Sequence, residues 1–179
     1  DRDSFILPEF VRKMNESKWL GDKTGQGFYK KTKGKDGKTE ILALDLKTME
    51  YRPQQKVRFA SLESVKQIED LASRTKALFN ASDKAGAFYK EVFSGLFGYV
   101  SDRIPEIADE VYRIDEALKA GFGWEMGPFE IWDAIGVKEA VAEMMKHGKK
   151  PAAWVEEMLS AGNNSFYTLE NGVRKYYDQ

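Results

Sequence analysis

Gly121-Phe122-Gly123-Trp124-Glu125-Met126-Gly127-Pro128-Phe129-Glu130-Ile131-Trp132-Asp133-Ala134-Ile135-Gly136 is the stretch on which the fold turns. It is rich in glycine and aromatic residues and contains a proline, yet it runs straight into helical spacing. Proline in a first helical turn has its φ already set and lacks an N–H that would have no partner there. Glycine lets backbone approach closely. Together they predict a tight, close-packed helix start at Pro128, with a short helix to Ile135. Upstream, Ile107, Val111, Ile114 and Leu118 recur at helical spacing until Gly121 and Gly123 end the pattern. Downstream, Val137 to Lys146 and Pro151 to Ala161 are two further amphipathic helices.

The rest of the chain extends this helical frame. Ser82 is placed to cap a helix whose stripe runs Phe88, Val92, Phe93, Leu96, Phe97, Val100 and Ile104, the wide apolar face of a central helix, with a break at Pro105. Ser61 caps an earlier helix carrying Val65, Ile68, Leu71, Ala72, Leu78 and Phe79. Asn171-Gly172, between Phe166-Tyr167-Thr168-Leu169 and Val173-Arg174-Lys175-Tyr176-Tyr177, predicts a hairpin with a two-residue type I′ turn. Near the other end, Pro8 to Met14 is a short helix. A glycine-rich turn follows over Gly21 to Gly27, then strands over Gly27 to Lys31 and Thr39 to Asp45. Leu46 to Gln55 reads as irregular.

Pro8-Glu9-Phe10-Val11-Arg12-Lys13-Met14 echoes Pro151-Ala152-Ala153-Trp154-Val155-Glu156-Glu157-Met158. Each is followed by a glycine-containing loop, an aromatic pair (Phe28-Tyr29 or Phe166-Tyr167) and a hairpin. The chain therefore divides into the tail of one unit, residues 1–55, and a second unit, residues 56–179.

Composition narrows the chemistry. The 179 residues suffice for one domain with an appendage, and 42% hydrophobic content with 13% aromatics fits a globular core. A net charge of −1, with acidic and basic residues interleaved, gives no pull toward nucleic acid. No cysteine is present, which excludes disulfides and thiolate chemistry. No apolar run is long enough for a membrane span and no signal peptide opens the chain, so a cytoplasmic location is expected. The first residue is Asp1 and not Met, and a piece of a longer polypeptide is expected.

Two motifs now carry a resemblance. Arg113-Ile114-Asp115-Glu116-Ala117 followed by Gly121-Phe122 and Gly127-Pro128-Phe129-Glu130-Ile131-Trp132-Asp133-Ala134-Ile135-Gly136 is one. Gly21-Asp22-Lys23-Thr24-Gly25-Gln26-Gly27-Phe28-Tyr29 is the other. Both resemble the C-terminal helical domain of 3-hydroxyacyl-CoA dehydrogenases, in long members of which two such units stand in tandem. The resemblance implies a mainly α, 6-phosphogluconate-dehydrogenase-like C-terminal helical domain with small β-hairpins. Gly25, Gly27, Phe28, Tyr29, Gly127 and Asp133 are then structural motif residues. It implies a parent enzyme that oxidises 3-hydroxyacyl-CoA to 3-ketoacyl-CoA with NAD in fatty-acid β-oxidation. Phe166 to Asp178 is similar to the linker that leads, in one bacterial branch, into a fused enoyl-CoA hydratase. In the family, NAD and a catalytic His–Glu pair belong to an N-terminal Rossmann domain. This chain has no such fingerprint, so no catalytic residue is expected in it.

Each candidate residue has a bland reading beside the functional one. Trp124, Met126, Pro128 and Phe129 pack in a core or, as the resemblance implies, approach the acyl-CoA site. Gly21 to Gly27 leads into strand residues and not a helix, which argues against a pyrophosphate cradle. His147, the only histidine, stands at a basic helix end where it complements the dipole. Asp109, Glu110, Asp115 and Glu116 read as exposed charges with local ion pairs, Asp109 facing Arg113. Glu130 and Asp133 favour the first turn of a helix, and Asp133 is placed to tie the motif to a neighbouring helix. The lysines at 30, 31, 33, 35 and 38 read as a solvated hairpin tip that resists edge pairing, with attraction of CoA phosphates as the other reading. The expectation is a catalytically silent piece of the enzyme that supplies an assembly surface and part of the acyl-CoA wall. A homo-oligomer is expected, with an exchanged N-terminal arm (residues 1 to about 50) where missing helices leave apolar surface uncovered. A non-enzymatic helical protein-interaction module is the alternative.

Overall fold

Asp70 and Asp83 decide where two of the central helices begin. In the computed structural model, which describes residues 6–34 and 36–178, each carboxylate accepts an N–H that the first helical turn cannot pair internally. Asp70 accepts from Ser73 N–H at 2.7 Å and Asp83 from Gly86 N–H at 3.1 Å. The chain divides into two compact units, Asp1–Val57 and Arg58–Gln179. Residues 1–5 of the expected arm and Lys35 of the lysine run lie outside the described residues.

The first unit opens with α1 (Glu9–Glu16), whose Met14 is buried. A 3₁₀ turn over Asp22–Thr24 leads to β1 (Tyr29–Lys33), β2 (Thr39–Leu44) and β3 (Tyr51–Pro53), an antiparallel sheet in that order. Tyr29 pairs with Ala43, and Leu44 with Tyr51. β3 corrects the reading of Leu46 to Gln55 as irregular. The Asp45 carboxylate accepts the N–H groups of Lys47 (3.0 Å) and Thr48 (3.3 Å), which turns the chain back onto β2. A three-residue edge strand ending in proline is too short to show alternation. The glycine-rich loop is packed on itself. A Cβ on Gly27 would stand 2.8 Å from the Gly21 Cα, so these glycines serve each other's close approach.

The second unit is built from α2 (Ala60–Ser64), α3 (Leu71–Phe79), α4 (Lys84–Asp102), α5 (Val111–Phe122), α6 (Pro128–Ile135), α7 (Val137–Lys146) and α8 (Ala153–Ser160), closed by the hairpin β4 (Tyr167–Glu170) and β5 (Val173–Tyr176). The helix expected to run unbroken from Ser61 is two, because Asp70 starts a fresh one after a 3₁₀ turn over Val65–Gln67. Phe59 holds the first cap position, while the Ser61 hydroxyl donates to Asp83 at 2.8 Å. Asp83, and not Ser82, caps α4, since its carboxylate takes Ser61 and Gly86 together. The type I′ turn is present, with φ of 51° at Asn171 and 79° at Gly172. The core is an aromatic stack. Phe97 lies parallel to Trp132 at 4.5 Å between ring centres, and Phe166 meets Phe129 edge-on at 4.9 Å. All four rings have no exposed surface.

Candidate functional site

Gly127 is where the site is assembled. Its N–H donates to the Glu130 carboxylate at 2.7 Å, half of a capping box. Glycine has no side chain to complete the box. Asp115 of α5 does it from outside, accepting Phe129 N–H at 2.8 Å and Glu130 N–H at 3.1 Å. The helices must touch for this. A Cβ on Gly127 would overlap the Asp115 side chain and stand 2.5 Å from its Cα, so only glycine fits.

Three carboxylates then fasten the C-terminal hairpin. Asp133 accepts the N–H groups of Phe166 (2.8 Å) and Tyr167 (2.9 Å). Asp115 also accepts the Tyr167 hydroxyl at 2.7 Å. Glu130 accepts from Arg174 at 2.7 Å and Lys119 at 3.3 Å, and the Arg174 guanidinium lies 3.7 Å over the Tyr167 ring. Asp133 thus ties the motif to a strand and not to a neighbouring helix. Burial pushes the Asp115 and Asp133 carboxyls up to about 6, against the pull of the N–H groups they accept. Burial would raise Glu130 too, but the Gly127 N–H, Arg174 and Lys119 hold it below the usual range. Burial and the Asp115 carboxylate raise the Tyr167 hydroxyl, which stays protonated and donating.

Asp115 corrects the reading of exposed charges, being only 1% exposed. The available signal was its position, four residues after Val111 and three before Leu118 on the buried stripe. Arg113 pairs with Glu110 and not Asp109, because α5 begins only at Val111. His147 lies at the end of α7 between Glu91 (3.5 Å) and Glu143 (3.4 Å), a surface cluster.

The four residues considered for ligand contact separate. Pro128 and Phe129 are buried in the core and have no surface to offer. Trp124, 38% exposed, and Met126 line an open groove of about 350 Å³ with Leu71, Thr75, Phe93 and Ile131. A second cleft of about 350 Å³ lies against the hairpin, walled by Tyr112, Glu116, Tyr167 and Arg174. Among the described residues no group of three or more His, Cys, Asp or Glu side chains could hold a metal ion. Gly25, Gly27, Phe28 and Tyr29 do not form a dinucleotide cradle. The loop leads into β1, so no helix N-terminus faces it, and its glycines are packed against each other.

Residues 98–175 match the family described as 3-hydroxyacyl-CoA dehydrogenase, C-terminal domain. Over all 179 residues the chain is 41% identical to a Bacillus subtilis protein provisionally named 3-hydroxyacyl-CoA dehydrogenase, and it covers 22% of that protein. A Rickettsia felis protein, provisionally named a fatty acid oxidation complex trifunctional enzyme, is 29% identical over 145 residues, 80% of this chain and 18% of its own length. The chain thus spans about a fifth of the length of these relatives.

Proposed function

We propose that this chain is the C-terminal helical part of a 3-hydroxyacyl-CoA dehydrogenase. The parent enzyme would oxidise a 3-hydroxyacyl-CoA to the 3-ketoacyl-CoA with NAD in the β-oxidation of fatty acids, in the cytoplasm. Within it, this part would be a scaffold and assembly surface. The groove at Trp124 and Met126 would contribute to the acyl-CoA wall. NAD and the proton-transferring residues would belong to another part of the parent enzyme.

One observation carries the reading. Asp115, Glu130 and Asp133 each accept hydrogen bonds from backbone N–H groups, with Tyr167, Lys119 and Arg174 as further donors. Carboxylates so engaged hold helix α6 and the hairpin together and are not poised to take a proton from a substrate. The test is NADH formation from 3-hydroxybutyryl-CoA. The isolated chain should give none, and clear turnover would refute the scaffold role. A second reading, a non-enzymatic interaction module, draws on the exposed Phe88 and Phe122, 63% and 73% accessible. Activity of the full-length protein against 3-hydroxyacyl-CoA separates the two.

A further inference from the structure

The two units repeat one piece of architecture in atomic detail. α1 and α8 end alike: Trp19 N–H reaches back to the Met14 carbonyl at 2.8 Å, and Asn163 N–H to the Met158 carbonyl at 3.0 Å. The residue before each is left-handed, Lys18 with φ of 57° and Gly162 with φ of 89°. Phe10 meets Phe28 edge-on at 6.3 Å, as Trp154 meets Phe166 at 5.7 Å. The hairpins close in the same register, through Leu44 N–H to the Phe28 carbonyl (2.9 Å) and Tyr177 N–H to the Phe166 carbonyl (2.7 Å). Phe28 therefore corresponds to Phe166, Tyr29 to Tyr167, Val11 to Val155 and Met14 to Met158.

What differs is the cover. In the second unit α6 lies on this surface. Phe129 and Trp132 close over Phe166, at 4.9 and 5.1 Å, and Asp133 takes the N–H groups of Phe166 and Tyr167. Phe166, Val155 and Met158 have no exposed surface as a result. In the first unit Phe28 is 50% and Tyr29 59% exposed, and among the described residues the Phe28 N–H has no partner. A groove of about 250 Å³ opens beside Phe28, with Val11, Met14 and Trp19 in its walls.

We propose that this groove is the docking site for an α-helix carrying two aromatic residues and an aspartate at the spacing of Phe129, Trp132 and Asp133. Its aromatic residues fill the groove over Phe28, and its carboxylate accepts the N–H groups of Phe28 and Tyr29. The helix is not α6 of this chain or of a second copy, because Phe129 and Trp132 are fully buried in their own unit and α6 could leave only by unfolding it. The occupant is a separate helix of the same pattern. The inference rests on the internal repeat and stands apart from the proposed enzymatic role.

The probe is a synthetic peptide of residues 125–138, bridged between the side chains of positions 130 and 134 and verified as helical by circular dichroism. Added to the ¹⁵N-labelled full chain, it should move the amide signals of Phe28 and Tyr29 downfield. The peptide carrying D133N should bind about tenfold more weakly, the loss expected for a charge-assisted hydrogen bond. Phe28→Ala in the chain, at a half-exposed position, should abolish binding while the melting of the chain is retained. A helical peptide that leaves Phe28 and Tyr29 unmoved up to about 1 mM overturns the proposal, since that bounds any interaction to a few kcal/mol. So does a peptide that shifts only Phe166 and Tyr167, or one whose D133N form binds equally well.

Discussion

Asp115 occupies a position where a carboxylate is costly unless it is fully engaged. Two backbone N–H groups and the Tyr167 hydroxyl engage it. Replacing Asp115 by alanine leaves these donors buried without an acceptor, at about 1–3 kcal/mol for each unpaired group. Chemical denaturation should therefore show D115A less stable by on the order of 3 kcal/mol. Gly127→Ala attacks the same contact from the other side. Its methyl group would overlap the Asp115 side chain, and forced overlap of this kind costs about 1–3 kcal/mol. If G127A melts like the parent chain, the close approach of α5 and α6 is not as described. That Asp115 lies on the inner stripe was legible from its spacing to Val111. Its partners were not, since they come from residues 14 to 52 positions away.

Helix α6 and the hairpin form a joint, and its pH response follows from two of its carboxyls. Asp115 and Asp133 titrate near 6 in the folded chain, above the ordinary value of 3.8. A raised acid gives stability that is whole below its unfolded value and is lost as pH rises through the folded one. Glu130, held low, acts oppositely: its contribution is present above the ordinary carboxylate value and lost as pH falls through its depressed one. The two trends leave the joint firmest in mildly acid solution. Each unit of separation between folded and unfolded values is about 1.4 kcal/mol. The melting temperature should be higher at about pH 5 than at about pH 7.5; a rise toward neutrality would contradict the assignment. At this scale the sequence was informative about α6, α7 and the hairpin, whose turn and cap residues act locally. It was less so over residues 59–83, where Phe59 and Asp83 hold the cap positions expected for Ser61 and Ser82, and Asp70 starts a helix that the apolar spacing did not separate.

Across the whole chain, apolar surface remains open. Phe88 and Val92 lie one turn apart on α4, 63% and 45% exposed, and Ile107 and Phe122 are 70% and 73% exposed. Such surface favours association. We propose a homo-oligomer in solution, in keeping with the assembly role. Light scattering should give a mass above 20.4 kDa at high concentration, and a monomer there would count against it.

The sequence by itself determined the local events: the helix that starts at Pro128, the helix that stops at Gly123, the turn at Asn171-Gly172. Each follows from the dihedral preferences and orphan N–H and C=O groups of a few adjacent residues. Only the tertiary structure decided which charges went inside. It separated buried Pro128 and Phe129 from the groove residues Trp124 and Met126, and it gave Asp115 and Asp133 their donors. Burial and pairing depend on what other elements bring to a side chain, and one segment's pattern does not encode its neighbours.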